Sequence, residues 1–172
     1  MGDIRKLVYN TKFTDWEEIN SSFSKGRMRI AYHGENRNGS YIDKDAFEKA
    51  LPTLFNCPVV CHYNRETDSI GGHDMEAVRD GDGLKLVNLT EPVGVVPESA
   101  TYNWESVTES DGTVHEYFCC DVLLWKRQEA YAHIRENGIE SQSMEINVTK
   151  GSVEDDGFFH IHGFEFNAFA LL

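Results

Sequence analysis

Nowhere in the 172 residues is there a run of the roughly 18 apolar residues that a membrane-spanning helix needs. The opening residues Met1-Gly2-Asp3-Ile4-Arg5-Lys6 also carry no apolar signal segment. No membrane partner is therefore expected. Gly2 invites N-myristoylation, but Lys6 stands where that motif asks for Ser or Thr, and the reading is discarded. Positive charge is scarce as well: 16 Lys and Arg stand against 29 Asp and Glu, a formal net charge of −13 spread along the whole chain. Such a surface repels phosphate backbones, so nucleic-acid partners are excluded. Cysteine is too sparse for a secreted disulfide framework, with only Cys57, Cys61, Cys119 and Cys120 in a chain this long. A reducing cytoplasm is the expected compartment. Repeats and low-complexity segments are missing too.

What is present is enough for a core. Forty per cent of the residues are hydrophobic, including ten Phe and seven Tyr, and the length suits one domain over residues 1–172. The chain opens with a weakly alternating strand at Leu7 to Phe13. Thr14-Asp15-Trp16-Glu17 then reads as a capping box opening a short helix. Strands follow at Met28 to Tyr32 and, after a turn-rich loop, at Cys57 to Tyr63. Between the last two, Asp43 reads as the N-cap of a helix over Lys44 to Leu51. Further strands are expected at Met75 to Arg79 and Leu84 to Leu89, turning at Asp80-Gly81-Asp82-Gly83, and at Pro92 to Pro97. Tyr102 to Val107 and Val114 to Trp125 form a long hairpin around Asp111-Gly112. A helix over Arg127 to Asn137 ends at Gly138, and strands Ser141 to Val148 and Phe158 to Leu171 close the chain. The expected fold is α+β: a mostly antiparallel, barrel-like sheet surrounded by two or three helices.

Chemistry centres on Gly138 to Val148, where a helix stops and a strand begins with Ser143 near its start. A serine held on rigid backbone is a candidate nucleophile if an imidazole reaches it and a third group orients that imidazole. Of seven histidines, His62 is the first candidate because it ends the apolar strand Pro58-Val59-Val60-Cys61, with His73 as its substitute. His160 and His162 share one strand face, which suits a metal pair or a solvated edge equally. A zinc site from Cys57, Cys61, His62 and His73 fails on spacing, since positions 57 and 61 of a strand lie about 13 Å apart. Neither a metal nor a cofactor is expected.

Three pieces, in order, resemble the tailed-phage prohead maturation proteases. Pro58-Val59-Val60-Cys61-His62 followed by Ile70-Gly71 resembles their histidine motif. Gly138-Ile139-Glu140-Ser141-Gln142-Ser143-Met144-Glu145-Ile146 resembles their serine motif. Gly163-Phe164-Glu165-Phe166-Asn167-Ala168-Phe169-Ala170-Leu171 resembles their closing strand. The resemblance implies a serine endopeptidase with a fold similar to the herpesvirus assemblins, with His62 as base, Ser143 as nucleophile and Glu165 as third member. It further implies cleavage of scaffold and major capsid proteins, and of itself, inside an assembling prohead in the host cytoplasm, by a homodimer. Glu145 departs from the family, which has glycine two residues after the serine. The chain also stops at Leu172, where related proteins continue.

The last hairpin offers a geometric condition. If Asp155-Asp156-Gly157 is a three-residue turn with Gly157 left-handed, Glu154 pairs with Phe158 and Glu165 faces Asn147, on the Ser143 side of the sheet. A one-residue slip sends Glu165 to the opposite face. Two rival readings stand beside the protease: a non-catalytic capsid-assembly or scaffold module on the same fold, and a binding domain using Trp104 and Tyr117 as anchors.

Overall fold

A computed structural model describes residues 3–72 and 75–172. Among these, the chain runs β1 Asp3–Asn10, β2 Phe13–Glu18, β3 Phe23–Tyr32, β4 Gly34–Glu35, β5 Ser40–Ile42, α1 Lys44–Ala50, β6 Pro58–Asn64 and β7 Ser69–Gly71. It continues with β8 Met75–Asp80, β9 Gly83–Asn88, β10 Glu91–Val95, β11 Tyr102–Thr108, β12 Val114–Trp125, α2 Ala130–Asn137, β13 Ser141–Val153 and β14 Phe159–Leu171. Twelve strands form one mixed sheet along the path β1-β13-β14-β6-β10-β12-β3-β2, while β8 and β9 pair only with each other. The protein is therefore mostly β, not α+β.

The expected barrel is corrected at one seam. β1 and β2 are joined by two residues, Thr11 and Lys12, yet lie at opposite ends of the sheet path. The sheet must curl for both to be true. Its ends meet through side chains instead of a strand ladder: the Thr11 hydroxyl donates to the Arg29 carbonyl at 2.7 Å, and the Gln142 amide donates to the carbonyl of Ile30. The sheet stays open.

A second correction concerns Thr14 to Glu17, which is strand and not helix. Phe13 and Thr14 pair with Met28 and Arg27, and a register shift with Asp15 at φ 51° lets the Trp16 ring pack, tilted, 5.2 Å from that of Phe13. Non-local pairing and ring burial outweigh a local capping signal worth about 1 kcal/mol.

The placement of α1 explains how the long strand β14 is shared. β13 runs along one edge of β14. On the other edge β5 pairs in parallel with Phe159 to Ile161, and β6 pairs in parallel with Phe169 to Leu171. Helix α1 fills the gap between them. Its Phe47 is fully buried and sits 5.3 Å from both Trp104 and Phe164. Asp43 precedes α1 as expected but makes no capping bond; its carboxylate instead meets His162. The inner face of the curl carries the core, including Tyr9, Met28, Phe118, Met144, Ile146 and Phe169.

Candidate active site

Strand alternation sorts β1, β13, β14 and β6 into two faces. Leu7, Tyr9, Met144, Ile146, Phe169, Leu171, Val59 and Cys61 point into the core. The register then fixes the outer face: Val8 faces Ser143, Ser143 faces Ala170, and Ala170 faces Val60. One row along, Lys6 faces Glu145 and Glu145 faces Ala168. Between the row holding Ser143 and Glu145 and the row holding Val60 and His62, β14 presents Ala168 and Ala170, a floor of alanines that is itself buried.

Ser143 is fully buried, although Val8 beside it is 40% exposed. Its Oγ has no hydrogen-bond partner among the described residues. Such a hydroxyl costs roughly 1–3 kcal/mol of uncompensated desolvation, in a row where an alanine is already the neighbour.

His62 stands two residues beyond Val60, on the same face, opposite Gly71 of β7. It is half-buried and lines a cleft of about 460 Å³ with Tyr63, Arg65, Glu91 and Arg127. Two strand spacings and two residue rises separate its Cα from that of Ser143 by about 12 Å. The structure therefore sets Ser143 and His62 on one face with no hydrogen bond between them. His62 is the nearer of the two to the cleft; Ser143 lies across the alanine floor.

The closing hairpin meets its geometric condition. Glu154 N–H donates to the Phe158 carbonyl at 3.1 Å, Gly157 has φ 84°, and Glu165 pairs with Asn147 on the Ser143 side. Yet Asn147 is four residues along β13 from Ser143, about 13 Å, in the direction away from His62. Glu165 accepts from Asn147 Nδ2 at 3.2 Å and is exposed. The register brings Ser143 and His62 to one sheet face and leaves Glu165 about 20 Å from His62, so it does not orient that ring.

The other candidates separate cleanly. His73 lies outside the described residues. His160 and His162 do share a neighbourhood, but carboxylates occupy it: Asp156 lies 2.8 Å from His160, Asp43 2.7 Å and Glu154 3.1 Å from His162. All four cysteines are buried, and burial pushes the Cys57, Cys61 and Cys119 thiols up to about 12 and raises that of Cys120 well above the usual thiol range. None supplies a thiolate at neutral pH. Tyr117 is a core residue with its hydroxyl donating to Glu109, while Trp104 is half-buried and packs against the core at Phe47 and Phe118.

Two features of the site escaped the reading of the sequence. One is the alanine floor, legible in hindsight as the alternation Ala168-Phe169-Ala170. The other is Lys6, whose Nζ lies 3.9 Å from Glu145 Oε1; only the β1 to β13 register shows it.

A family model described as the YonD N-terminal domain matches residues 22–172. No curated protein and no solved structure matches the chain.

Proposed function

The chain belongs to the YonD N-terminal domain family, and we propose that this domain is a serine endopeptidase with Ser143 as nucleophile and His62 as base. One observation supports the reading above the rest. A fully buried serine hydroxyl has no hydrogen-bond partner among the described residues and lies across a floor of alanines from an imidazole on the same sheet face. A buried unsatisfied group calls for an explanation, and a nucleophile awaiting its base is one. Catalytic hydrogen bonds often form only once substrate is bound.

In this mechanism a peptide bound at the His62 cleft draws the imidazole towards Ser143. Ser143 Oγ attacks the carbonyl carbon as its proton passes to the imidazole; the C–N bond then breaks and the amine leaves with that proton. Water, deprotonated by His62, hydrolyses the acyl-enzyme and restores the serine. The third group is not Glu165. By the resemblance of the motifs, the substrates are scaffold and major capsid proteins of an assembling prohead and the chain itself, within the host cytoplasm, and the working form is a homodimer.

A serine-reactive fluorophosphonate tests the reading. Labelling of the wild type that disappears in Ser143→Ala and falls in His62→Ala supports it; absence of labelling with and without a peptide library refutes it. The complete burial of Ser143 favours one second reading, a non-catalytic assembly module on the same scaffold, which expects no labelling and no loss of assembly in Ser143→Ala.

A further inference from the structure

Away from the His62 cleft, a cavity of about 330 Å³ opens where the ends of β1, β3 and β12 meet the β4–β5 turn and the turn joining β11 to β12. Core tyrosines back it. Tyr32 meets Tyr9 and Tyr117 edge to face at 5.1 and 5.2 Å, and His115 stacks on the Tyr32 ring at 3.8 Å with the planes 10° apart. Tyr32 is only 6% exposed, yet its hydroxyl has no hydrogen-bond partner among the described residues. Unlike the Ser143 oxygen, this one is not sealed off. The charges acting on it are Arg37, Glu109 and Glu35, and all three line the cavity with Tyr32.

The same cavity holds a carboxylate without a counter-ion. Glu109 accepts from the Tyr117 hydroxyl at 2.6 Å and from Asn10 Nδ2 at 3.1 Å. Burial alone raises its pKa, but those bonds, with the fields of His115 and Arg37, outweigh burial and hold it below the usual carboxylate value. Among the described residues no cation lies within ion-pair distance of it. Arg37 turns instead to Asn10, donating to its Oδ1 at 3.3 Å. Glu35, Glu109 and Asp111 thus stand against Arg37 alone among the Lys and Arg of this lining. Acceptors converge here, so the complementary ligand is rich in donors and positively charged.

We propose that this cavity binds a guanidinium group, the side chain of an arginine, which bridges the Glu109 carboxylate and the Tyr32 hydroxyl against the His115 ring. A guanidinium offers five N–H donors in one plane, and that plane extends the Tyr32–His115 stack; an ammonium is a point charge and does neither. The volume lies at the small end of ligand cavities, which suits one side chain. The site does not depend on Ser143 being a nucleophile.

Calorimetric titration of the full chain with N-acetyl-arginine amide, its lysine counterpart and its uncharged citrulline counterpart, at about 0.15 M salt, tests the proposal. The arginine derivative is expected to bind at one site, the lysine derivative about fivefold and the citrulline derivative at least about tenfold more weakly. Both possible sources of the group support the site: tighter binding of the amide assigns it to a peptide, tighter binding of free arginine to the amino acid. Tyr32→Phe keeps the ring stack, removes only the hydroxyl and weakens binding about threefold. Glu109→Gln removes the charge and weakens it about tenfold. Because Glu109 also holds Tyr117, Tyr32→Phe is the deciding variant, with a thermal midpoint matching that of wild type. Unchanged affinity in Tyr32→Phe and Glu109→Gln puts the guanidinium elsewhere on the acidic surface and overturns the proposal. So does the absence of saturable binding, or citrulline binding as tightly as arginine. Equal affinity for lysine overturns the choice of a guanidinium.

Discussion

At the scale of single residues, Ser143 makes opposite demands on stability and on chemistry. Its hydroxyl is buried and has no hydrogen-bond partner among the described residues, so Ser143→Ala removes a desolvation cost without opening a cavity beside Ala170. The variant is expected to be about 1 kcal/mol more stable than wild type in urea unfolding, and inert towards fluorophosphonate. A variant less stable than wild type would mean that the hydroxyl makes a bond in solution. Arg27 illustrates the converse. Its guanidinium meets Glu105 and Asp121, each at 2.9 Å, and also Asn103 and the Thr101 carbonyl, tying β3 to β11 and β12. Arg27→Met takes the only ion-paired cation from Asp121 among the described residues, leaving its carboxylate, 14% exposed, with just the Thr101 amide and hydroxyl, and is expected to cost about 2 kcal/mol. Arg27→Lys recovers little, because one ammonium cannot span that fork of acceptors.

At the scale of elements, hairpins were legible because their signals are local: Asp80 to Gly83, Asp111-Gly112 and Asp155 to Gly157 each turn where glycine permits a left-handed backbone. What joins distant strands was not legible. The pairing of β14 with both β5 and β6, and the bulge at Asn167 between Phe166 and Ala168, decide that Glu165 sits away from His62. No local pattern in Gly163 to Leu171 encodes that distance. Gly94 shows how tight one such pairing is, since a Cβ there meets the Leu123 carbonyl oxygen at 2.3 Å. Gly94→Ala is expected to lower stability by about 1–3 kcal/mol through displacement of β10 from β12, measurable as a fall in thermal midpoint.

The tip of the β13–β14 hairpin carries the pH dependence. Its hydrogen bond to Asp156 raises the His160 pKa, and the Phe158 amide and His160 together lower that of Asp156. Glu154 and Asp43 also face these imidazoles, and Tyr41 stacks on His160 at 4.6 Å. A raised histidine stabilises fully below its unfolded value, about 6.5, and the gain is lost as pH rises through the folded value. A lowered aspartate stabilises above about 3.9 and fails as pH falls through its folded value. The tip is thus tightest between roughly pH 4 and 6.5. Amide exchange over Gly151 to Ile161, corrected for intrinsic rates, is expected to quicken from pH 6 to 8 in the wild type and to lose that dependence in His160→Gln.

At the scale of the molecule, the composition announced a folded core, but how far the sheet extends and curls depends on a seam that alternation cannot reveal. Thr11 is 6% exposed and its hydroxyl holds the Arg29 carbonyl; Gln142, adjacent to Ser143, holds that of Ile30. Thr11→Val keeps the shape and leaves the Arg29 carbonyl without that donor, at a cost of about 1–2 kcal/mol. Because β1 and β13 meet β3 at this seam through side chains, the loss is felt on both sides of it. Amides of Val8 to Thr11 and of Arg29 to Tyr32 are expected to lose protection together in Thr11→Val. By contrast the β8–β9 hairpin, a two-stranded sheet whose Leu84 and Leu86 are 79% and 62% exposed, gains little from the core and exchanges fast in both proteins. Loss of protection confined to β1, with β3 unaffected, would show that the seam does not couple the ends of the sheet. Ser143 would then stand on a sheet whose curl is set by the core alone.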